Sequence, residues 1–182
     1  MTKIVTAPED VLSKTAKEFD FEKDKKTLKK LLSNMEEALI SASDPKGVGL
    51  AAPQIGKSVA IFMAKPTEKS PISVFINPKV VEQDKLEKKK KQKKSKKLEG
   101  CLSLPNIWGE VQRYSEVKLT YQDIDGKRIE KKFKGFMATI VQHEVDHLNG
   151  ILFPKHVLEQ NGQLYKSHKN EDGEDEFEEI SI

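Results

Sequence analysis

The two histidines of residues 143–147 limit the local conformation of this chain more than any other feature. The segment reads His143-Glu144-Val145-Asp146-His147, which is an H-E-x-x-H pattern. On an α-helix, residues i and i+4 lie one above the other on the same face, so both imidazoles can face one cation. Glu144 lies about a quarter turn away. It can reach a water at the cation without being a ligand, so the pattern predicts a helix that supports metal-assisted hydrolysis.

The residues around this pattern also favour a helix. Apolar side chains recur there at helical spacing, and Gly150 is a typical helix terminator. The apolar set is Phe136, Ile140, Val141 and Leu148. A catalytic zinc-type centre takes three protein ligands and leaves a position for water. The helix supplies two, so the third ligand must come from elsewhere in the chain.

The composition of the chain indicates its class. At 182 residues it is long enough for one domain with a real core. We find no apolar run of membrane-spanning length and no secretory leader, and the single cysteine fits a reducing cytoplasm. Residues 85–97 hold nine lysines and one glutamate, while residues 171–182 hold seven acidic residues and no basic one. We expect one catalytic domain over residues 1–166, with a lysine-rich insertion at 85–97, and an acidic disordered tail over residues 167–182.

The hydrophobic pattern predicts an α+β fold. Residues 25–43 carry an apolar stripe at helical spacing, with Asp24 as the expected N-cap. Four short segments read as strands: residues 59–63, 72–76, 117–121 and 129–133. The last two flank Asp125-Gly126 and predict a hairpin. We therefore expect antiparallel sheets packed around the H-E-x-x-H helix, with an amphipathic helix near the amino terminus.

A loop of small residues precedes the first predicted strand. Residues 47–56 read Gly-Val-Gly-Leu-Ala-Ala-Pro-Gln-Ile-Gly, and the glycines and alanines let a backbone or a ligand approach closely. Gln54 is the one strong polar group of this loop. Its amide can donate to a developing oxyanion, or it can simply face solvent from a tight turn. Both interpretations stay open at this point.

The only cysteine, Cys101, is the candidate third ligand. It lies beside Gly100 in the strand-like run Leu98–Pro105. A lone cysteine is most often a small buried hydrophobe, but here its thiolate would complete a Cys-His-His set. A metzincin would need a histidine at position 153, where this chain has Phe153. A glutamate ligand of the thermolysin type would have to be Glu159 or an acid of the tail, and neither lies on a recognisable second helix.

Three segments together resemble the bacterial-type peptide deformylase family. Gly47–Gln54, Glu99–Ser103 and Gln142–Gly150 match its three signature motifs in order, with no substitution at a chemical position. The resemblance extends from Ile4 to Leu158. It implies removal of the formyl group from formyl-methionine at the start of nascent polypeptides. It also implies one divalent cation, natively Fe²⁺, with Zn²⁺, Ni²⁺ or Co²⁺ able to occupy the site in a purified sample.

The resemblance also implies a role for each matched residue. The metal ligands would be Cys101, His143 and His147. The metal would convert a bound water into a hydroxide that attacks the formyl carbon. Glu144 would act as general base and then as general acid. The side chain of Gln54 and the backbone N–H of Leu102 would stabilise the oxyanion.

Substrate contacts follow from the same family positions. The methionine side chain would lie in a pocket lined by Val48, Gly49, Phe136 and Ile140. The last two precede His143 within about two helical turns, although ordinary helix core is an alternative interpretation. Gly49 and Gly100 would bind the substrate main chain as an added strand.

Two carboxylates near the motifs have less defined roles. Asp146 either orients a ligand histidine or is a solvated helix charge. Glu99 is predicted to pair with Arg113, because the chain has only two arginines.

The lysine-rich insertion at residues 85–97 departs from the family pattern. A charge run is usually a solvated loop, and the functional alternative is contact with ribosomal RNA near the exit of nascent chains. Two other functions remain open: a metallopeptidase, which would not need Cys101, and an inactive ribosome- or RNA-binding homologue. Further expectations are a monomer and no membrane partner.

Overall fold

The computed structural model describes residues 2–43, 45–84 and 98–181, so the predicted insertion at residues 85–97 lies outside the described residues. Within those ranges, three α-helices and two antiparallel sheets form the fold. The predicted α+β class is confirmed, with antiparallel sheets around the H-E-x-x-H helix and an amphipathic helix near the amino terminus.

Helix α1, Phe21–Ser41, is that amphipathic helix. Asp20 caps it, because Asp20 Oδ1 accepts from the backbone N–H groups of Glu22 at 3.0 Å and Lys23 at 3.2 Å. The predicted cap, Asp24, is wrong: Asp24 lies inside the first turn, whose free N–H groups Asp20 already satisfies. The helix buries Leu28, Met35, Ala38 and Leu39 in the core.

The larger sheet contains most of the predicted strands. Its members are β1 Gly49–Ala51, β2 Ile61–Ala64, β3 Ser73–Gln83, β6 Glu116–Gln122 and β7 Arg128–Lys134. They lie in the order β1-β2-β3-β6-β7, and each neighbouring pair is antiparallel. The predicted hairpin is confirmed. Its turn contains Gly126 at φ 84°, a left-handed conformation that favours glycine.

The smaller sheet holds the cysteine. Its strands are β4 Glu99–Cys101, β5 Leu104–Gly109, β8 Leu164–Lys169 and β9 Asp175–Ile180, in the order β4-β5-β8-β9. The disorder predicted from residue 167 onward does not hold, because β8 pairs with β5 and β9 pairs with β8. Tyr165 and Ser167 are buried in this pairing. The tail has few apolar residues, so its sequence did not indicate a hairpin. The hairpin is stabilised by the pairing of β8 with β5.

The H-E-x-x-H helix is α2, Gly135–Leu148, and it packs on the larger sheet. Its core residues there are Ala138, Ile140, Val141 and Leu148. A short helix, α3, Phe153–Glu159, packs through Phe153 and Val157 against the smaller sheet. No helix in the described ranges is both long enough and apolar enough to cross a membrane.

Candidate metal centre

Cys101, His143 and His147 come together as one donor set. The cysteine Sγ and one ring nitrogen of each histidine all lie within 4.8 Å of one another. Cys101 Sγ is 3.2 Å from His147 Nε2, and the two imidazole centroids are 4.9 Å apart. The cysteine comes from β4 and the histidines from α2. The donor set therefore joins the smaller sheet to a helix that packs on the larger one.

The chemistry of these donors fits a divalent transition-metal ion. A thiolate and two imidazoles are ligands that such ions prefer, and three protein ligands leave a position for water or substrate. Burial lowers the pKa of His147 well below its ordinary value, which keeps the imidazole neutral and able to ligate. In the described part of the chain, two buried side-chain atoms lack a hydrogen-bond partner: Glu144 Oε2 and His147 Nδ1. A water or substrate beside the donor set would give the carboxylate oxygen its partner.

Glu99 orients His143 from outside the donor set. Its Oε1 lies 2.7 Å from His143 Nδ1, which leaves Nε2 of that ring for the donor set. Arg113 donates to the same carboxylate from Nε at 3.0 Å and from Nη2 at 2.6 Å, so the predicted Glu99–Arg113 ion pair is confirmed. The contact between Glu99 and His143 was not predicted. Because alternate residues of a strand face the same side, the spacing between Glu99 and Cys101 could have indicated it.

Asp146 contacts Arg113 rather than a ligand histidine. Its Oδ2 accepts from Arg113 Nη1 at 2.5 Å and lies 2.9 Å from His156 Nε2. Neither sequence interpretation of Asp146 describes this arrangement. The aspartate holds the arginine that in turn holds Glu99.

Glu99 is expected to make the folded protein sensitive to acid. Burial alone would raise the pKa of Glu99, but hydrogen bonds from His143 and Arg113 outweigh it and lower the pKa from 4.5 to about 2. A carboxylate with a depressed folded pKa contributes stability above its unfolded pKa and loses that contribution as the pH falls toward the folded value. The unfolding free energy should therefore drop by on the order of 3 kcal/mol between about pH 4.5 and about pH 2.

Denaturant unfolding across this pH range measures the effect. A Glu99→Gln variant should show a flatter profile, because its amide does not titrate. The exposed Glu130→Gln serves as the matched control and should keep the original slope. An unchanged slope in Glu99→Gln would contradict the assignment.

Glu144 is buried on α2 beside the donor set. Burial raises the pKa of Glu144 to about 7, so the group can both take up and release a proton near neutral pH. Gly49 of β1 lies directly against it: a Cβ at position 49 would lie 2.2 Å from Glu144 Oε1. This close approach requires a glycine.

Gln54 also lies at the donor set, with both ends of its amide engaged. Its Oε1 accepts from the backbone N–H of Ala51 at 2.8 Å. Its Nε2 donates to Ser103 Oγ at 3.3 Å and lies 3.7 Å from Cys101 Sγ. The side chain is buried, so the solvent-facing interpretation is wrong. Leu102, the second predicted oxyanion donor, directly follows Cys101 and packs against the core that contains α1.

The residues predicted to contact the substrate lie in different environments. Gly49 lies against Glu144, Gly100 directly precedes Cys101, and Val48 is half-buried. Phe136 is 56% exposed, whereas Ile140 is 3% exposed within the core of the larger sheet. Ile140 is thus packed in the core beneath the exposed part of α2, and Phe136 is exposed to solvent.

Comparison with known proteins identifies the family. The family model described as polypeptide deformylase matches residues 1–163. A peptide deformylase of Desulfotalea psychrophila is 37% identical over 168 residues, which cover 90% of this chain and 92% of the relative. The crystal structure of the Thermotoga maritima peptide deformylase has a TM-score of 0.72 and 35% identity, covering 86% of this chain and 97% of that one. A Met-Ala-Ser-bound peptide deformylase of Acinetobacter baumannii has a TM-score of 0.70 and 32% identity, covering 86% and 99%. The chain therefore belongs to the polypeptide deformylase family, enzymes that remove the formyl group from newly made peptides.

Proposed function

We propose that this protein deformylates N-formyl-methionine at the amino end of nascent polypeptides in the cytoplasm, as a monomer with one divalent metal ion. The observation that carries the proposal is the buried Cys-His-His donor set with the unpartnered Glu144 Oε2 beside it. Family membership supports the reaction. The Met-Ala-Ser bound to the A. baumannii relative supports a methionine-led peptide as the ligand.

Cys101, His143 and His147 would hold the metal, and Glu99 would keep His143 turned toward it. When bound, a divalent cation there polarises the formyl carbonyl and lowers the pKa of an adjacent water. We assign Fe²⁺ as the native ion on the family resemblance. Zn²⁺, Ni²⁺ and Co²⁺ suit the same sulfur and nitrogen donors.

Glu144 would move the proton during hydrolysis. Its free Oε2 accepts a proton from the attacking water as the water oxygen bonds to the formyl carbon. The same carboxyl then gives that proton to the nitrogen of the breaking C–N bond, so formate and a free methionyl amine leave. A carboxyl whose pKa is about 7 is suited to both transfers.

Gly49→Ala should reduce this activity by displacing the general base. The new methyl group would overlap Glu144 Oε1, and a misplacement of about 1 Å typically lowers the rate about 100-fold. Gly47→Ala is the matched control, because its Cβ would meet Leu39 O at 2.7 Å rather than Glu144. We expect Gly47→Ala to lower the Tm while the folded enzyme keeps its kcat. A normal kcat for Gly49→Ala would contradict the assigned position of the base.

Two donors would stabilise the charge that develops on the formyl oxygen. Gln54 Nε2 lies 3.7 Å from Cys101 Sγ and is held by the contact of Gln54 Oε1 with Ala51. The backbone N–H of Leu102 directly follows the cysteine. Donors fixed before the reaction stabilise an oxyanion without reorganising, and each is typically worth about 3 kcal/mol of barrier.

The substrate would bind between β1 and β4, which are edge strands of the two sheets. We propose that Gly49 and Gly100 contact the peptide main chain, and that Val48, Phe136 and Ile140 surround the methionine side chain. The exposed ring of Phe136 is the part of this set free to move onto a ligand. Buried Ile140 would form the base of the pocket.

Purification without oxygen tests the proposal. We expect about one metal ion per chain and release of formate from an N-formyl-methionyl peptide. Chelation should abolish the activity, and added Fe²⁺ should restore it. Metal-loaded protein that releases no formate would contradict the proposed function.

The insertion at residues 85–97 would contact ribosomal RNA through its lysines, near the source of the substrate. Replacing these lysines with serine should weaken sedimentation with ribosomes and flatten its dependence on salt. Unchanged binding at low salt would contradict this contact.

A further inference from the structure

The carboxyl-terminal hairpin lies outside the part of the chain that matches the family. The match covers residues 1–163, whereas β8 and β9 span Leu164–Lys169 and Asp175–Ile180. This hairpin extends the sheet whose opposite edge is β4, the strand that carries Cys101. Within this sheet, β5 lies between the hairpin and β4, so β5 provides a connection between the hairpin and the active site.

Trp108 of β5 is that connection. It is the only tryptophan of the chain. Its Nε1 donates to Ser167 Oγ of β8 at 3.0 Å. The ring of Phe177 on β9 meets the indole edge to face, with 5.8 Å between centroids and 84° between planes. The hydrogen bond and the aromatic contact together restrict both the position and the tilt of the indole.

The other side of the indole lies against Gly100. Gly100 pairs with Trp108 across β4 and β5, and a Cβ at position 100 would lie 2.7 Å from two atoms of the indole ring. The backbone of Gly100 therefore rests directly on the tryptophan. Cys101 is the next residue, so a shift of the indole moves the strand that flanks the donor set.

We propose that Trp108, fixed by Ser167 and Phe177, is a positioning residue for peptide substrates that extend beyond the formyl-methionine. Its indole holds the backbone of Gly100 in the position at which the substrate residues after the formyl-methionine pair with β4. This inference rests on the proposed function, because it takes Gly100 as the main-chain contact. The hairpin thereby affects how well extended peptides bind, while the chemical step stays with Glu144 and the donor set.

Ser167→Ala and Phe177→Ala test the inference against two substrates. One is an N-formyl-methionyl tripeptide, and the other is N-formyl-methionine amide, which has no residue to pair along β4. For the tripeptide we expect KM to rise about fivefold, equivalent to about 1 kcal/mol, with kcat unchanged. For the amide we expect both constants to stay unchanged. Glu178→Ala is the matched control, because this exposed residue lies next to Phe177 on β9.

Fluorescence of the single tryptophan gives a readout independent of turnover. Both test variants should shift Trp108 emission to longer wavelength and increase its quenching by acrylamide, whereas Glu178→Ala should not. A changed emission with an unchanged tripeptide KM would overturn the inference. An equal loss of kcat for both substrates would also overturn the inference, because that result would show that Ser167 and Phe177 only stabilise the fold. If the unsubstituted protein releases no formate from either substrate, the proposed function fails. If it releases formate normally and neither variant changes the tripeptide KM, only the inference is contradicted.

Discussion

Glu144→Gln is expected to retain its metal and lose nearly all deformylase activity. The amide has the shape of the carboxylate, so it should fit beside Gly49, but it cannot accept the proton of the attacking water. General acid–base catalysis contributes about 10²- to 10⁴-fold, and kcat should fall by a factor in this range. The measurement is formate release per metal-loaded enzyme at saturating formyl-methionyl peptide.

The metal content of the variant decides how the loss is interpreted. Glu144 is not among the three donor residues, so the metal-to-protein ratio should match that of the unsubstituted enzyme. The same substitution at the exposed Glu36 of α1 should leave kcat unchanged. Full activity of Glu144→Gln would contradict its role in proton transfer.

Cys101→Ala should lose both the metal and the activity. It removes the only sulfur donor and leaves two imidazoles on one helix. Loss of an outer hydrogen-bond partner of a metal ligand costs about 10- to 100-fold in affinity, and loss of a ligand should cost more. Metal analysis after dialysis and formate release measure the two effects. Buried Ser103, two residues further along, provides the control: Ser103→Ala should keep the metal because it leaves all three donor atoms in place. Tight metal binding by Cys101→Ala would contradict the assigned donor set.

The donor residues were predictable because their pattern is local or unique. His143 and His147 lie at helical spacing within five residues, and Cys101 is the only cysteine. The hairpin at Gly126 and helix α1 follow from short-range patterns in the same way. The metallopeptidase alternative is not supported, since the chain belongs to the deformylases. The inactive RNA-binding homologue is opposed by the intact donor set with Gln54 and Glu144 beside it.

Features that depend on tertiary contacts were harder to predict. Residues 167–181 are acidic and poor in apolar residues, and their order comes from the pairing of β8 with β5 and of β9 with β8, together with the contacts of Trp108 with Ser167 and Phe177. The orientation of His143 by Glu99 likewise joins residues 44 positions apart. The role of Ile140 was equally hard to predict, because its position on the helix does not tell whether its side chain lines a pocket or packs in the core.

The donor set also has a consequence for assembly. Cys101 belongs to the smaller sheet, and both histidines belong to a helix packed on the larger one. A cation held by all three would cross-link two layers that are otherwise joined by side-chain packing and by hydrogen bonds such as the one between Glu99 and His143. Any opening that separates the layers would have to release the ion first, so unfolding should become slower and its temperature should rise with the free metal concentration. Loss of the ion would then weaken the contact between the two sheets.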